Sequence, residues 1–175
     1  SAGTNNGDGT WTLTAGQLNG LTITPPAHFS GSFDLTATAT STDAGGDTSS
    51  VSMTATVDVN AVADAPTLVA EDVTGFEDQP IGLDIDASLV DADGSESLSV
   101  TVSGVPNGAS LSAGTDLGNG VWRLTPAELT GLEINPPSDY SGTINLTVTA
   151  TSTEASNGST ASRVSTMAVT VEGVA

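Results

Sequence analysis

Apolar and polar residues alternate with a period of two along most of this chain. From Phe33 to Thr40, the side chains of Phe33, Leu35, Ala37 and Ala39 share one face, and Asp34, Thr36, Thr38 and Thr40 share the other. Ile144 to Thr151 repeats the rule with Ile144, Leu146, Val148 and Ala150 on the apolar face. Ser50–Val59, Ser97–Val105 and Met167–Val174 follow it as well. Such runs, β-branched and bounded by turns, predict half-buried antiparallel strands. The punctuation agrees. Asn5–Gly9, Ala44–Gly46, Pro106–Gly108 and Leu117–Gly120 supply the glycines and asparagines that hairpin turns need for positive φ. The proline pairs Pro25-Pro26 and Pro136-Pro137 cannot donate to a central ladder and are expected in a loop or edge crossing. Helical signals are confined to Thr14–Gly20 and Thr125–Gly131, each long enough for one turn begun by a threonine cap.

The strands come in two copies. Ser1-Ala-Gly-Thr recurs as Ser112-Ala-Gly-Thr, about 111 positions later. Trp11 then matches Trp122, Gly20-Leu21 matches Gly131-Leu132, Phe29 matches Tyr140 and Leu35 matches Leu146. A unit of domain length copied in tandem belongs to an array. One complete copy is expected over 64–175, preceded by the C-terminal half of another over 1–63. About seven strands in roughly 110 residues make a Greek-key β-sandwich of immunoglobulin-like or cadherin-like type the natural all-β architecture. Trp11 and Trp122 are each expected to pack in a core, since one tryptophan per copy is too few for a sugar-stacking platform. The stretch Val57–Leu68 between the copies is short and contains one proline, so a stiff junction is expected there.

Charge narrows the partners. Asp and Glu number 21 against 2 arginines and no lysine, a formal net charge of -19. Nucleic acid and anionic membranes would be repelled by that surface. No apolar run is long enough to span a bilayer. Cysteine is absent, which removes disulfides and thiolate metal sites as braces and leaves a hard cation as one candidate.

The strongest chemical signal is Asp91-Ala-Asp93-Gly-Ser-Glu96. Calcium takes six to eight oxygens at about 2.3–2.6 Å, and a tight turn can gather Asp91, Asp93 and Glu96 as part of that shell. The same residues would also serve as an ordinary Asp/Gly turn with side-chain caps. The spacing is not that of an EF-hand. Glu77 and Asp78 precede a strand, and the junction carries Asp58, Asn60 and Asp64. Catalysis is not expected. His28 is the only histidine and its counterpart is Asp139. Serines and threonines lie on strand faces without a nucleophile elbow, and the chain has only six aromatic residues to line a cleft.

The order Asp58-Val-Asn60…Asp64-Ala-Pro66, Glu77-Asp78-Gln-Pro80, Asp91-x-Asp93-Gly94 and Val148-Thr-Ala-Thr…Glu154 resembles the cadherin-like, immunoglobulin-like repeats of giant bacterial adhesins. These include repeat-in-toxin (RTX) and biofilm-associated types. The resemblance covers the second copy and the half copy before it. It implies a secreted, cell-surface extender region, exported by type I secretion, in which calcium stiffens the joints between neighbouring repeats. It also implies metal ligands at Asn60 and Asp64 in the linker, Glu77 and Asp78 at the entry strand, Asp91 and Asp93 in the loop, and Asp43 and Glu154 at the strand ends, in addition to the Glu96 read from the loop itself. The linker reads Asn60-Ala-Val-Ala-Asp64 where cadherins carry an additional aspartate.

The expected role is therefore a calcium-stiffened spacer of a bacterial surface adhesin, serving attachment or biofilm formation, with neighbouring repeats and Ca2+ as partners. The rival readings are a module that binds carbohydrate or a host protein, and an accessory domain of a secreted enzyme. The half copy lacks its first strands. Trimming, completion by another molecule, or a repeat frame shifted from the folded unit would each account for that.

Overall fold

A computed structural model describes residues 2–174 as an all-β chain. It divides into two compact units, Ser1–Val59 and Asn60–Ala175.

The first unit carries β1 (Thr4–Asn5), β2 (Trp11–Thr12), β3 (Gly31–Thr42) and β4 (Thr48–Val59). β1 pairs with β2, and β3 forms a long antiparallel hairpin with β4, giving two separate two-stranded sheets. A single 3-10 turn, Ala15–Gln17, begins at the expected threonine cap, where Thr14 and Gln17 form a reciprocal capping box. None of the described residues of this unit is buried.

The second unit carries β5 (Thr67–Glu71), β6 (Val73–Phe76), β7 (Ile81–Gly82), β8 (Asp84–Ser88) and β9 (Glu96–Ser103). It continues with β10 (Ser110–Leu111), β11 (Thr115–Gly118), β12 (Val121–Leu124), β13 (Glu133–Asn135), β14 (Gly142–Glu154) and β15 (Thr160–Glu172). One sheet has six strands in the order β11-β12-β9-β14-β15-β6. Its pairs are antiparallel except that of β15 with β6. The smaller sheets β5-β8 and β10-β13-β7 form the other layer of a β-sandwich.

The alternation read from the sequence becomes the core. Ile144, Leu146, Val148 and Ala150 of β14 lie with Val100 and Val102 of β9 and with Met167, Val169 and Val171 of β15. Leu68, Ile81, Ile85, Ala87 and Ile134 meet them from the second layer. Completely burying each of these aliphatic side chains is worth about 1.5–3 kcal/mol, which is what turns the period-two pattern into a fixed register. The β11–β12 hairpin turns through Gly118, Asn119 and Gly120, all at positive φ, as its Gly-Asn-Gly sequence requires. A Cβ on Gly120 would lie 2.2 Å from the Val105 carbonyl oxygen, so the turn needs glycine for space as well as for φ.

Two features differ from the sequence reading. Trp122 is partly buried against the core, but Trp11 is exposed on β2, which among the described residues pairs only with β1. The second unit also holds eleven strands rather than about seven, since several are pieces of two to five residues separated by bends.

Candidate metal centre

The inward phase of β14 does not stop with its apolar residues. Ile144, Leu146, Val148 and Ala150 are followed at the same period by Ser152 and Glu154, and both of these are buried. Glu96, the first residue of β9, is the register partner of Glu154 on the neighbouring strand, and it too is buried. Directly opposed Cβ atoms in an antiparallel pair stand about 4.5–5.5 Å apart, and like charges in that position repel. The fold thus places two glutamates face to face, 4% and 8% exposed, at one end of the six-stranded sheet.

Their hydrogen bonding is incomplete. The Asp64 backbone N–H donates to Glu96 Oε1 at 2.7 Å. Glu96 Oε2 and Glu154 Oε2 are buried without a hydrogen-bond partner, and so is the Ser95 hydroxyl. An unsatisfied buried carboxylate oxygen costs more than a neutral group, so its presence calls for a cation or a proton. The Glu154 carboxyl is pushed above its ordinary range by burial first, and then by the charges of Glu96, Asp91, Asp93 and Asp64.

Those three aspartates complete the cluster. Asp64 and Asp91 hold carboxylate oxygens within 4.8 Å of each other. The Asp91–Glu96 loop is built by its own side chains: Asp91 Oδ1 accepts the Asp93 N–H at 3.0 Å, and Asp93 Oδ1 accepts the Ser95 N–H at 2.7 Å. The turn-capping role weighed from the sequence is therefore real. It uses Asp91 Oδ1 and Asp93 Oδ1, and the charges of both carboxylates act on Glu154 from that loop. The tight turn is completed by Gly94 at φ +95°.

The segment 61–64 is tied to the same end of the second unit. Asn157 Nδ2 donates to the Ala61 carbonyl at 2.8 Å, the Ala63 N–H donates to Ser159 Oγ at 3.3 Å, and the Ser152 hydroxyl donates to the Asp64 carbonyl. These bonds explain why the chain divides after Val59 rather than after Ala63.

Five of the residues expected as ligands thus converge: Asp64, Asp91, Asp93, Glu96 and Glu154. Asn60 is exposed, four positions before Asp64. Glu77 and Asp78 do not join the cluster. The Glu77 N–H donates to the Glu172 carbonyl, Glu77 Oε1 accepts the Val174 N–H at 2.7 Å, and Asp78 Oδ1 accepts the Asp139 N–H at 3.1 Å. Glu172 ends β15 whereas Thr160, beside the Glu154 end, begins it. At about 3.3 Å per residue the two poles are roughly 40 Å apart. Asp43, the counterpart of Glu154, is exposed and accepts N–H bonds from Gly45 and Asp47 in its own hairpin turn.

Sequence reasoning missed Ser95, Ser152, Asn157 and Ser159. The signal for Ser152 was available: it continues the inward phase of β14, where a hydroxyl must find a partner. Both arginines lie elsewhere in the ladders, Arg123 opposite Thr101 and Arg163 opposite Ala150. An all-oxygen donor set of five carboxylates suits a hard divalent cation and offers nothing to a soft one.

No family model, curated protein or solved structure matches this chain.

Proposed function

We propose that the second unit binds calcium at the Glu96/Glu154 pole and acts as a spacer module in a tandem array of such modules. The reading rests on one observation: two buried glutamates opposed across a strand pair, each with a carboxylate oxygen that no protein group satisfies. A divalent cation placed there would cancel the repulsion and complete the coordination that five carboxylates begin. Asp64 would be one of those ligands and lies in the segment that leads into the domain. Binding would therefore fix the backbone at the entrance of the module.

The tandem duplication supports a mechanical role. Repeated domains provide reach, and rigidity at each joint sets how far a terminal binding domain projects. Together with the resemblance to adhesin repeats, this favours a bacterial cell-surface extender, in contact with neighbouring repeats and Ca2+, over a catalytic or nucleic-acid-binding role. Small-angle scattering of the chain, with calcium and with chelator, tests the mechanical part. An increase in maximum dimension with calcium is expected; identical profiles would count against it.

A further inference from the structure

We propose that Asn157-Gly158, in the turn between β14 and β15, is a deamidation site whose conversion unlocks the segment leading into the metal centre. Asn-Gly pairs occur at Asn6, Asn19, Asn107, Asn119 and Asn157. Among the described residues, only Asn157 of these engages its side-chain amide with a residue distant in sequence. Its Nδ2 donates to the Ala61 carbonyl at 2.8 Å, and its Oδ1 accepts the Ser159 N–H at 2.8 Å. Ser159 Oγ in turn accepts the Ala63 N–H at 3.3 Å. The backbone of 61–63 therefore hangs on residues 157–159. The Asn-Gly pair is exposed to solvent, and there is open space where a Cβ on Gly158 would stand. The corresponding turn of the first unit reads Gly46-Asp47 and has no such pair.

Asparagine before glycine cyclises because glycine has no side chain to hinder the approach of its nitrogen. The Gly158 backbone nitrogen attacks Asn157 Cγ, and the new N–C bond closes a succinimide ring. The Cγ–Nδ2 bond breaks, and the amide nitrogen leaves as ammonia with the proton that Gly158 gives up. The Ser159 N–H on Oδ1 stabilises the charge that develops there during the attack. Water then opens the ring at either carbonyl, giving aspartate or isoaspartate at position 157. The Gly158 N–H is held by the Glu154 carbonyl at 2.9 Å, so cyclisation waits on opening of this turn. Asn107-Gly108 has no such brake, since neither the Asn107 amide nor the Gly108 N–H has a partner among the described residues. It serves as an internal clock.

Either product replaces the Nδ2 donor by a carboxylate oxygen that faces the Ala61 carbonyl, two acceptors where a donor and an acceptor had met. Isoaspartate also lengthens the backbone of the turn by one carbon. A further negative charge is added at the pole that gathers five carboxylates. The segment 61–63 is thereby released, and Asp64 keeps only its bonds to Ser152 and Glu96 to place it. The consequence for calcium rests on the function proposed above: a ligand no longer held in position binds more weakly.

The test ages the full chain in mildly alkaline buffer with chelator and follows positions 107 and 157 by peptide mass mapping and isoaspartyl methyltransferase labelling. Conversion at both is expected, slower at Asn157, and Gly158→Ala should slow it at Asn157 alone. Hydrogen exchange at the Ala63 N–H of an Asn157→Asp chain, also in chelator, should quicken about tenfold, the scale of one lost hydrogen bond. Asn157 intact after Asn107 is fully converted would overturn the proposal, as would unchanged Ala63 exchange in the Asn157→Asp chain. Calcium titration of wild type and Asn157→Asp then reads the effect on the metal centre. A several-fold weaker affinity in the variant is expected, and equal affinities would overturn the regulation of that site. Failure of the wild type to bind calcium would refute the calcium reading instead, and the exchange rates in chelator would still decide whether the segment is released.

Discussion

Leu35 and Leu146 are the same residue of the repeat in two settings, and replacing each by alanine measures what burial between two layers is worth. Leu146 is 1% exposed between the two layers of the second unit. Removing three carbons there loses about 2.4 kcal/mol of transfer free energy at 0.8 kcal/mol per methylene. The cavity left behind brings the cost of Leu146→Ala to about 3.5 kcal/mol. Leu35 is 40% exposed on a face with no opposing layer. Its truncation leaves no cavity and costs about 1 kcal/mol or less, confined to the first unit. The assay is urea unfolding followed by Trp122 emission in a Trp11→Phe background. With a slope near 2 kcal/mol per molar, Leu146→Ala should lower the midpoint by about 1.5–2 M. Leu35→Ala should leave that transition in place. Midpoint shifts of equal size for the two variants would refute the asymmetry between the copies.

Further outcomes follow from the same contacts. Gly120→Ala should destabilise the second unit by at least about 2 kcal/mol through clash and positive φ, while Gly9→Ala, with open space around it, should cost only about 1 kcal/mol, as parallel melts would show. In chelator, the raised folded pKa of Glu154 makes its contribution to stability greatest below the unfolded value near 4.5. That contribution is lost as pH rises through the folded value, so the metal-free domain should be more stable in mild acid than its other carboxylates imply. Calcium should remove this dependence, and chemical denaturation across pH 4 to 8 would read it. Glu77→Gln should leave calcium affinity unchanged, because Glu77 sits at the far pole, whereas Glu96→Gln should weaken it about tenfold or more in a calcium titration.

The strands were legible because alternation and burial have the same cause. Every second residue from Ile144 to Ala150 is apolar, and those are the residues the core takes. The Asp91–Glu96 loop was legible because two aspartates spaced by one residue before a glycine make a turn whatever else they do. Which acids meet was less legible. The register that sets Glu96 against Glu154 is a long-range property of β9 and β14. Placing Glu77 and Asp78 at the opposite pole requires knowing which end of β15 lies beside β6, and local sequence does not contain that. The exposed Trp11 was misread because its strand carries the same pattern as that of Trp122. The pattern records what the second unit buries, and among the described residues of the first unit β2 pairs only with β1.

The central claim, a divalent cation held by the opposed glutamates, is tested most directly by calorimetric melting with calcium and with chelator. Wild type should be compared with the Glu96→Gln/Glu154→Gln double variant. At a calcium concentration 100-fold above Kd the linkage is worth about 2.7 kcal/mol, which for a domain of this size raises Tm by about 10 °C. The double variant should show no rise and should melt higher than wild type in chelator. Superimposable wild-type curves, or the same rise in the variant, would contradict the account.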